Sequence, residues 1–142
     1  MVKNLASVKS DKELEALSKD ENKYVRANLA FNRNAPINLL ESLSKDDDWY
    51  VRSTVANNPN TPIHVLEELS KDENNTVRII VAFNRNTSAH VLESLSKDMY
   101  WRVRDRVAEN PHTPIHVLET LSKDQDWSVH VAATRTLKYF SN

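Results

Sequence analysis

Apolar residues follow two helical patterns that alternate along the chain. In the first pattern, Val65, Leu66 and Leu69 fall on one stripe of a helix. In the second, Val51 and Val55 stand four residues apart and share one face of another helix. Both patterns return several times along the chain. Because neither short helix can bury its apolar face alone, we predict an all-α fold in which successive helices stack on one another.

The two patterns belong to one repeat of 26 residues. The string Leu-Ser-Lys-Asp recurs at this spacing, beginning at Leu17, Leu43, Leu69, Leu95 and Leu121. A fixed period of this length is typical of repeat architectures. We therefore predict one domain, residues 1–142, that forms a right-handed α-solenoid of five 26-residue two-helix repeats. The predicted units are residues 10–35, 36–61, 62–87, 88–113 and 114–142.

Both ends of the solenoid depart from the repeat and are predicted to be caps. Residues 1–9 lie outside the register, and Val2, Leu5 and Val8 could cover the first unit. The last unit runs on from Thr134 to Phe140, where the earlier units turn. We therefore expect an N-terminal cap at residues 1–9 and a longer final helix as the C-terminal cap.

Polar residues and prolines mark the predicted ends of the helices. Thr61 is a candidate N-cap for a helix that begins at Pro62. Asp46, in a column of aspartates, is interpreted as a cap or first-turn residue of the second helix. Asn58 is predicted to end that helix in the left-handed conformation, in place of the missing glycine, and Pro59 prevents its continuation.

Composition excludes several classes of site. The chain has no cysteine and no glycine. The first absence excludes disulfides, thiolate nucleophiles and cysteine metal sites, and the second excludes the glycine-dependent phosphate and nucleophile loops. A net charge of −1 argues against bulk electrostatic capture of nucleic acid or of an anionic membrane. No apolar run approaches about 20 residues, so we expect no membrane span. We also expect no cofactor and, because residues 1–10 are too short and too polar for a signal peptide, a cytoplasmic location.

One consensus, V-R-x-x-V-A-x-N-P-x-T-P-x-x-V-L-E-x-L, runs through the units. It is clearest over residues 51–69 and nearly as clear over residues 103–121. This unit resembles the leucine-rich repeat variant family, from about Leu14 to Ala133. The resemblance implies two alternating helices per unit, one of which can be 3₁₀, wound into a superhelix related in architecture to HEAT and armadillo solenoids. It is almost silent on function, because such chains are identified by their scaffold residues.

Residues that recur in every unit are explained by the unit, and we assign them to structure. One column is basic and is expected to form a ladder of ion pairs between units, with capture of a phosphate or carboxylate as the alternative. A second column is amide-bearing and is expected to end helices, with binding of a peptide backbone as the alternative. The two columns are Arg26, Arg52, Arg78 and Arg104, and Asn32, Asn58, Asn84 and Asn110.

Columns that vary along the second helix are the candidates for a partner-binding surface. Their variation predicts that they face solvent or a ligand, with Ile79 and Ile80 as an exposed apolar spot. Tryptophans two residues before the core valine are expected to cover unit junctions, to stack on the arginine three residues later, or to anchor a partner. The candidate partner-binding residues are Trp49, Tyr50, Ile79, Ile80, Tyr100, Trp101, Arg102 and Arg106.

These features predict a non-catalytic scaffold that binds an unidentified protein. The alternative is nucleic-acid binding through Arg102 and Arg106 together with one lysine per unit, namely Lys19, Lys45, Lys71, Lys97 and Lys123. A further alternative is that the units belong to a longer array.

Two site hypotheses receive less weight. One is a DNA-glycosylase-like site built from Tyr100, Trp101, Arg104 and Asp105, which rests on analogy with other helical repeats. The other is a zinc ion shared by members of the column His64, His90 and His116. No single pairing of a nucleophile with a base stands out in the sequence, so we expect neither catalysis nor a bound metal.

Overall fold

A computed structural model of the chain describes residues 10–141, and this range contains ten α-helices and no strand. The helices are α1 (Asp11–Leu17), α2 (Lys23–Phe31), α3 (Ile37–Leu43), α4 (Trp49–Asn57), α5 (Ile63–Leu69), α6 (Asn75–Phe83), α7 (Ala89–Leu95), α8 (Trp101–Glu109), α9 (Ile115–Leu121) and α10 (Trp127–Phe140). The all-α repeat of two helices per unit is therefore confirmed. Both helices of each unit are α-helical, so none of the helices within residues 10–141 is of the 3₁₀ type that the resemblance allowed. The right-handed sense of the superhelix stays a prediction, and the N-terminal cap falls at residues 1–9, outside the described range.

The two predicted stripes build one continuous core. Val51, Val55 and Ala56 on α4 are fully buried, as are the corresponding residues of α6 and α8. Val65, Leu66 and Leu69 on α5 face them from the odd-numbered row, and their counterparts on α3, α7 and α9 are buried in the same way. All of these side chains belong to one hydrophobic cluster that runs through the units. Each helix therefore obtains most of its stability from its neighbours.

The helices form two rows. The even helices (α2, α4, α6, α8 and α10) pack side by side along the stack, and each odd helix (α1, α3, α5, α7 and α9) packs mainly against the even helices adjacent to it in the chain. Odd helices make at most slight contact with one another. The last helix, α10, is 14 residues long and packs against both α8 and α9, as expected of a closing helix.

The helix starts differ in detail from the expectation. Asp48, the N-cap of α4, accepts a hydrogen bond from the Tyr50 N–H at 2.8 Å. Asp46 lies two residues earlier and accepts from the N–H of Asp48 at 2.9 Å, so it shapes the turn before the cap. The assignment of the aspartate column to caps or first turns was therefore wrong. The same arrangement recurs in other units, where Asn22, Asn74 and Asp126 provide the cap.

The threonines before α5, α7 and α9 are also not caps. Helix α5 begins at Ile63, and Pro62 occupies the N-cap position without a side-chain hydrogen bond. The Thr61 hydroxyl instead donates back to the Val55 carbonyl at 2.5 Å, and Thr87 and Thr113 repeat this contact. Each buried threonine therefore ties the end of an even helix to the turn that follows it.

Asparagine ends the even helices in a conformation opposite to the predicted one. Asn58, Asn84 and Asn110 have φ between −71° and −64° and ψ between 125° and 127°. No residue within 10–141 has a positive φ. The prediction of a left-handed asparagine was therefore wrong: these residues are extended, and the hydrogen bonds described below explain why asparagine stands there rather than glycine.

Candidate partner-binding surface

A ladder of arginine and aspartate joins the N-terminal ends of successive even helices. Arg52 Nε lies 2.7 Å from Asp72 Oδ2 in the next unit, and Arg52 Nη2 lies 3.0 Å from Asp72 Oδ1. The remaining nitrogen, Nη1, donates to the carbonyls of Asp46 and Asp47 at 2.8 and 3.0 Å. The other rungs are Arg26–Asp46, Arg78–Asp98 and Arg104–Asp124. Since each guanidinium is satisfied inside the protein, none of the four is available to capture a phosphate or a carboxylate.

Burial strengthens the rungs of this ladder. The arginine side chains are 11–16% exposed and the aspartates 7–11%. The pKa of Arg104 is raised above its usual value, chiefly by the hydrogen bonds to Asp124. Burial by itself would raise the pKa of Asp124, but the hydrogen bonds from Arg104 and from the Asp126 N–H outweigh it and lower that pKa. Both partners therefore stay charged near neutral pH.

A second ladder, made by asparagine, joins the C-terminal ends of the even helices. Asn84 Nδ2 donates to the carbonyls of Ala56 and Asn58 in the preceding unit at 2.7 and 3.3 Å. Its Oδ1 accepts from the Asn86 N–H at 2.8 Å. Asn58 and Asn110 make the same bonds, and the Thr136 hydroxyl replaces them in α10. Both amide protons of each buried asparagine are used within the fold, so these three amides cannot also bind a peptide backbone.

Between the two ladders, the outward face of the even helices forms a groove. It has a volume of about 520 Å³ and crosses α2, α4 and α6. A depression of about 430 Å³ adjoins it and shares Phe31, Thr54 and Asn57 with it. We call this surface the even-helix groove and define it by Tyr24, Asn28, Phe31, Trp49, Tyr50, Thr54, Asn57, Thr76 and Ile80.

Aromatic rings dominate the first half of the even-helix groove. Tyr24 and Tyr50 meet edge to face, with ring centroids 5.7 Å apart, and Trp49 meets Tyr50 in the same way at 6.0 Å. Tyr24, Phe31, Trp49 and Tyr50 are each at least 40% exposed. Lys23 fixes one edge of the cluster, with its Nζ 3.0 Å from Asp48 Oδ2 and 5.7 Å from the centre of the Tyr24 ring. Exposed rings held in a fixed arrangement on helices suit the binding of a partner.

The structure brings together three of the eight candidate residues in this groove, namely Trp49, Tyr50 and Ile80. Ile79 and Ile80 are only partly exposed and pack against the core, so the predicted exposed isoleucine spot was wrong. Ala27 and Ser53, which precede Ile79 in the same column, are buried, and Ile79 is partly buried. Variation in a column therefore did not by itself mean exposure.

The remaining four candidates lie on or beside α8, the next even helix. Arg102 and Arg106 occupy the repeat positions that Thr76 and Ile80 occupy on α6, so they continue the groove. The Arg102 guanidinium lies 5.3 Å from the centre of the Trp101 ring, and that of Arg106 lies 5.9 Å from the centre of the Phe83 ring. Tyr100 and Trp101 pack partly against the core. The predicted stacking of Trp101 on Arg104 was wrong, because Arg104 is held by Asp124.

Six of the nine residues that define the even-helix groove were not among the eight candidates, namely Tyr24, Asn28, Phe31, Thr54, Asn57 and Thr76. Four of the six stand in the variable columns that were expected to face solvent or a ligand, whereas Phe31 and Asn57 stand in a different column and were missed. A signal was present, because Phe31 and Phe83 alternate with Asn57 and Glu109 at one repeat position. This repeat position lies at the C-terminal turn of the even helices. The sequence alone did not show whether its side chains face the core or the outward face of the helix.

Several residues of the alternative functions lie outside the even-helix groove or are already paired. Lys19 forms an ion pair with Glu15 at 3.0 Å, and it lines a surface depression with Lys45 and Asp46 that shares no residue with the even-helix groove. His64 and His116 lie 2.8 and 3.5 Å from glutamate oxygens. Within residues 10–141, no group of three or more potential ligands is placed to hold a metal ion.

Asp105, the acid of the glycosylase-like set, is bound within the fold. It accepts a hydrogen bond from the Ser128 hydroxyl at 3.1 Å. Among the helices described for residues 10–141, none has both the length and the apolar character that a membrane span requires.

Comparison with known proteins finds similarity among solved structures. No protein-family model matches the chain, and no curated protein matches it. The chain is similar to a solved structure described as a leucine-rich repeat variant with a novel repetitive structural motif, at 25% sequence identity and a TM-score of 0.48. The similarity covers 88% of this chain and 60% of the other, so this chain spans less than two thirds of that protein's length. It is the kind of repeat that the sequence resembles.

Proposed function

We propose that the chain is a non-catalytic scaffold that binds a partner protein through the even-helix groove. The observation that carries this proposal is the separation of roles along each even helix. Residues that recur in every unit, such as Arg52 and Asn58, are bound within the fold at the two ends of the helix. Residues that differ between units, such as Tyr50 and Ile80, line the groove between those ends.

Groove chemistry favours a protein as the partner. Aromatic side chains contribute a large share of the affinity in many protein interfaces, because they bury much area at little conformational cost. Here Tyr24, Trp49 and Tyr50 are packed against one another before any partner arrives. A surface that is already ordered loses less entropy on binding. The cytoplasmic location expected from the sequence is compatible with this role and stays a prediction.

A photo-crosslinking experiment tests the proposal. A benzophenone amino acid is placed at Thr54, in the centre of the groove, and in a control variant at Glu68, on the exposed side of α5. Each variant is irradiated in lysate of the source cells, with and without nuclease, and crosslinked proteins are identified by mass spectrometry. We expect a nuclease-resistant protein crosslink at position 54 and none at position 68.

The same crosslink provides an internal control for the groove. Tyr50→Ala in the Thr54 variant is expected to reduce the crosslink at least about fivefold, the effect of losing one aromatic anchor. Equal crosslinks from both positions, or a crosslink that nuclease abolishes, would show that the groove is not a protein-binding surface.

A further inference from the structure

Charged residues are divided between the two rows of helices. The even helices and the turns after them carry eleven Lys or Arg and two acidic residues, over residues 23–34, 49–60, 75–86, 101–112 and 127–141. The odd helices and the turns after them carry six Lys and eighteen acidic residues, over residues 11–22, 37–48, 63–74, 89–100 and 115–126. The net charge of −1 therefore conceals an excess of positive charge on the even side. The expectation from net charge alone did not include this separation.

Ion pairs inside the fold use part of the positive charge. The four ladder arginines and Lys23 are each paired with an aspartate of the odd side. On the even side, Glu109 lies between two arginines, with its Oε2 2.5 Å from Arg106 Nη1 and its Oε1 3.3 Å from Arg135 Nη2. This leaves one carboxylate shared by two guanidinium groups, so the α8 surface keeps a positive excess.

Arg102 is the cation at the end of the even-helix groove. Within residues 10–141 it has no ion pair, and its guanidinium lies over the Trp101 ring. It stands at the repeat position of Tyr24, Tyr50 and Thr76, which line the groove on the three preceding even helices. The groove therefore passes from rings on α2 and α4 to an exposed guanidinium on α8.

The groove upstream of Arg102 carries no charge among its defining residues, and Arg33 is the one charged residue that lines the adjoining depression. Two of these, Asn28 and Asn57, have amides that make no hydrogen bond within the described part of the chain. An amide can donate to a carbonyl and accept from an N–H at the same time, which are the two groups that a peptide backbone offers. The first part of the groove therefore suits an uncharged chain segment with apolar side chains.

We propose that the even-helix groove binds an extended peptide of which one half is aromatic or aliphatic and the other half is acidic. The apolar half lies against Tyr24, Tyr50 and Ile80, and the acidic half binds Arg102 and Arg106. Neighbouring helices pack 8–10 Å apart, so α2 and α8 are separated by about 25–30 Å. An extended peptide of about eight residues covers that distance. The inference rests on the proposed function and specifies its partner class.

Charge placement favours a peptide over a nucleic acid. A nucleic acid carries one phosphate per nucleotide and needs cations spaced along its whole path. Two arginines, Arg102 and Arg106, stand at its α8 end, whereas the groove before them is lined by rings, amides, hydroxyls and Ile80, with the single exposed Arg33 in the depression that adjoins its first part. A partner with most of its negative charge at one end matches this arrangement.

The test is a selection from a phage-displayed library of random peptides of about twelve residues against the immobilised protein. We expect enriched peptides to carry Asp or Glu clustered at one end and aromatic or aliphatic residues at the other. Their binding should weaken when NaCl is raised from about 50 to about 500 mM, because salt screens the attraction between the acidic residues of the peptide and the exposed guanidinium groups. Enrichment of peptides without an acidic cluster, or no enrichment, would overturn the inference.

Variants locate the binding site and separate this inference from the proposed function. Arg102→Glu is expected to weaken a selected peptide about tenfold, whereas Lys71→Glu, an exposed lysine of the odd side, should change its affinity less than about twofold. Tyr50→Ala should weaken the same peptide without changing its salt dependence. If Tyr50→Ala weakens binding and Arg102→Glu does not, the groove binds proteins but the acidic specificity is wrong.

Two further outcomes complete the test. If a single-stranded oligothymidylate of about twelve nucleotides binds more tightly than the selected peptides and loses affinity in Arg102→Glu, the groove is a nucleic-acid site and the inference is wrong. If no peptide is enriched while the Thr54 crosslink to a protein is obtained, the proposed function stands and the peptide class is wrong.

Discussion

Arg52 and Asp72 form a two-point contact between successive units, with nitrogen-to-oxygen distances of 2.7 and 3.0 Å. Asp72 also contributes to the next rung, because its carbonyl accepts from Arg78 Nη1 at 2.7 Å. One aspartate therefore connects two arginines, and the ladder is continuous along the stack. The fold uses these charges for cohesion between units.

The first prediction concerns the geometry of this ladder. Arg78→Lys keeps the charge but cannot make the paired hydrogen bonds to Asp98 or reach both carbonyls. We expect it to lower the free energy of unfolding by about 2 kcal/mol, since the pair is mostly buried. Urea denaturation measures the loss, and Arg85→Lys, at an exposed arginine without an ion pair within residues 10–141, is the control. Equal stability of the two variants would contradict a structural role for the paired hydrogen bonds between Arg78 and Asp98.

The second prediction distinguishes an amide bridge from a left-handed helix end. Glycine at position 84 would preserve a left-handed cap but removes both hydrogen bonds from Asn84 Nδ2 to the preceding unit. We expect Asn84→Gly to destabilise the protein by about 2–4 kcal/mol, because two buried carbonyls lose their donor. Asn34→Gly, at an exposed turn position, is the matched control in thermal and urea unfolding. A neutral Asn84→Gly would contradict a stabilising role for the amide bridge.

The third prediction concerns acid sensitivity at Asp124. Its pKa is lower in the folded protein than its ordinary value of 3.8, so the folded state favours the charged carboxylate. The resulting stabilisation is fully present above the unfolded pKa and is lost as pH falls through the folded pKa. Asp124→Asn should therefore be less stable than the original chain at pH 7. The difference should shrink as the pH is lowered below about 4, as followed by urea unfolding across this range. A difference that is independent of pH would contradict the charged pair.

The fourth prediction separates Ile79 from the rings of the groove. Ile79 packs against the core where α6 meets its neighbours, whereas Tyr24 is 59% exposed. Ile79→Ala should lower the free energy of unfolding by about 1–2 kcal/mol, and Tyr24→Ala should change it by less than about 0.5 kcal/mol. Chemical denaturation of the two variants decides this. A greater loss in Tyr24→Ala would show that the groove rings serve the core.

The sequence predicted the helical periodicity well and predicted much less well which residues bond to each other within the fold. The spacing of Val51, Val55 and Leu69 predicted the helices and their buried faces correctly, because a helix obeys a local period. The roles of Asp46 and Asn58 depend on residues about 20 to 28 positions away in the neighbouring unit. A residue type that recurs at one repeat position has a repeated structural role. The recurrence does not show whether its hydrogen-bond partner lies in the same unit or in the next one.

Exposure was the harder quantity to predict for the candidate site. Ile79 and Ile80 share the variability of Tyr50, yet both pack partly against the core. Burial in this column depends on how closely the even helices pack side by side, as it does for Ala27 and Ser53. That packing exists only in the assembled stack, so a single helix pattern does not show it. Variation within a column therefore placed Tyr50 correctly on the outward face and placed Ile79 incorrectly.

The central claim is that each even helix uses its ends for the fold and its outward face for a partner. The most direct measurement compares Tyr50→Ala with Arg52→Ala, two substitutions on the same helix, for both unfolding free energy and the yield of the Thr54 crosslink. We predict that Tyr50→Ala reduces the crosslink at least about fivefold with little change in stability. Arg52→Ala should lower stability by about 2 kcal/mol or more and retain the crosslink wherever it stays folded. The reverse pattern, a crosslink that is unaffected by Tyr50→Ala and a stability that is unaffected by Arg52→Ala, would contradict the account.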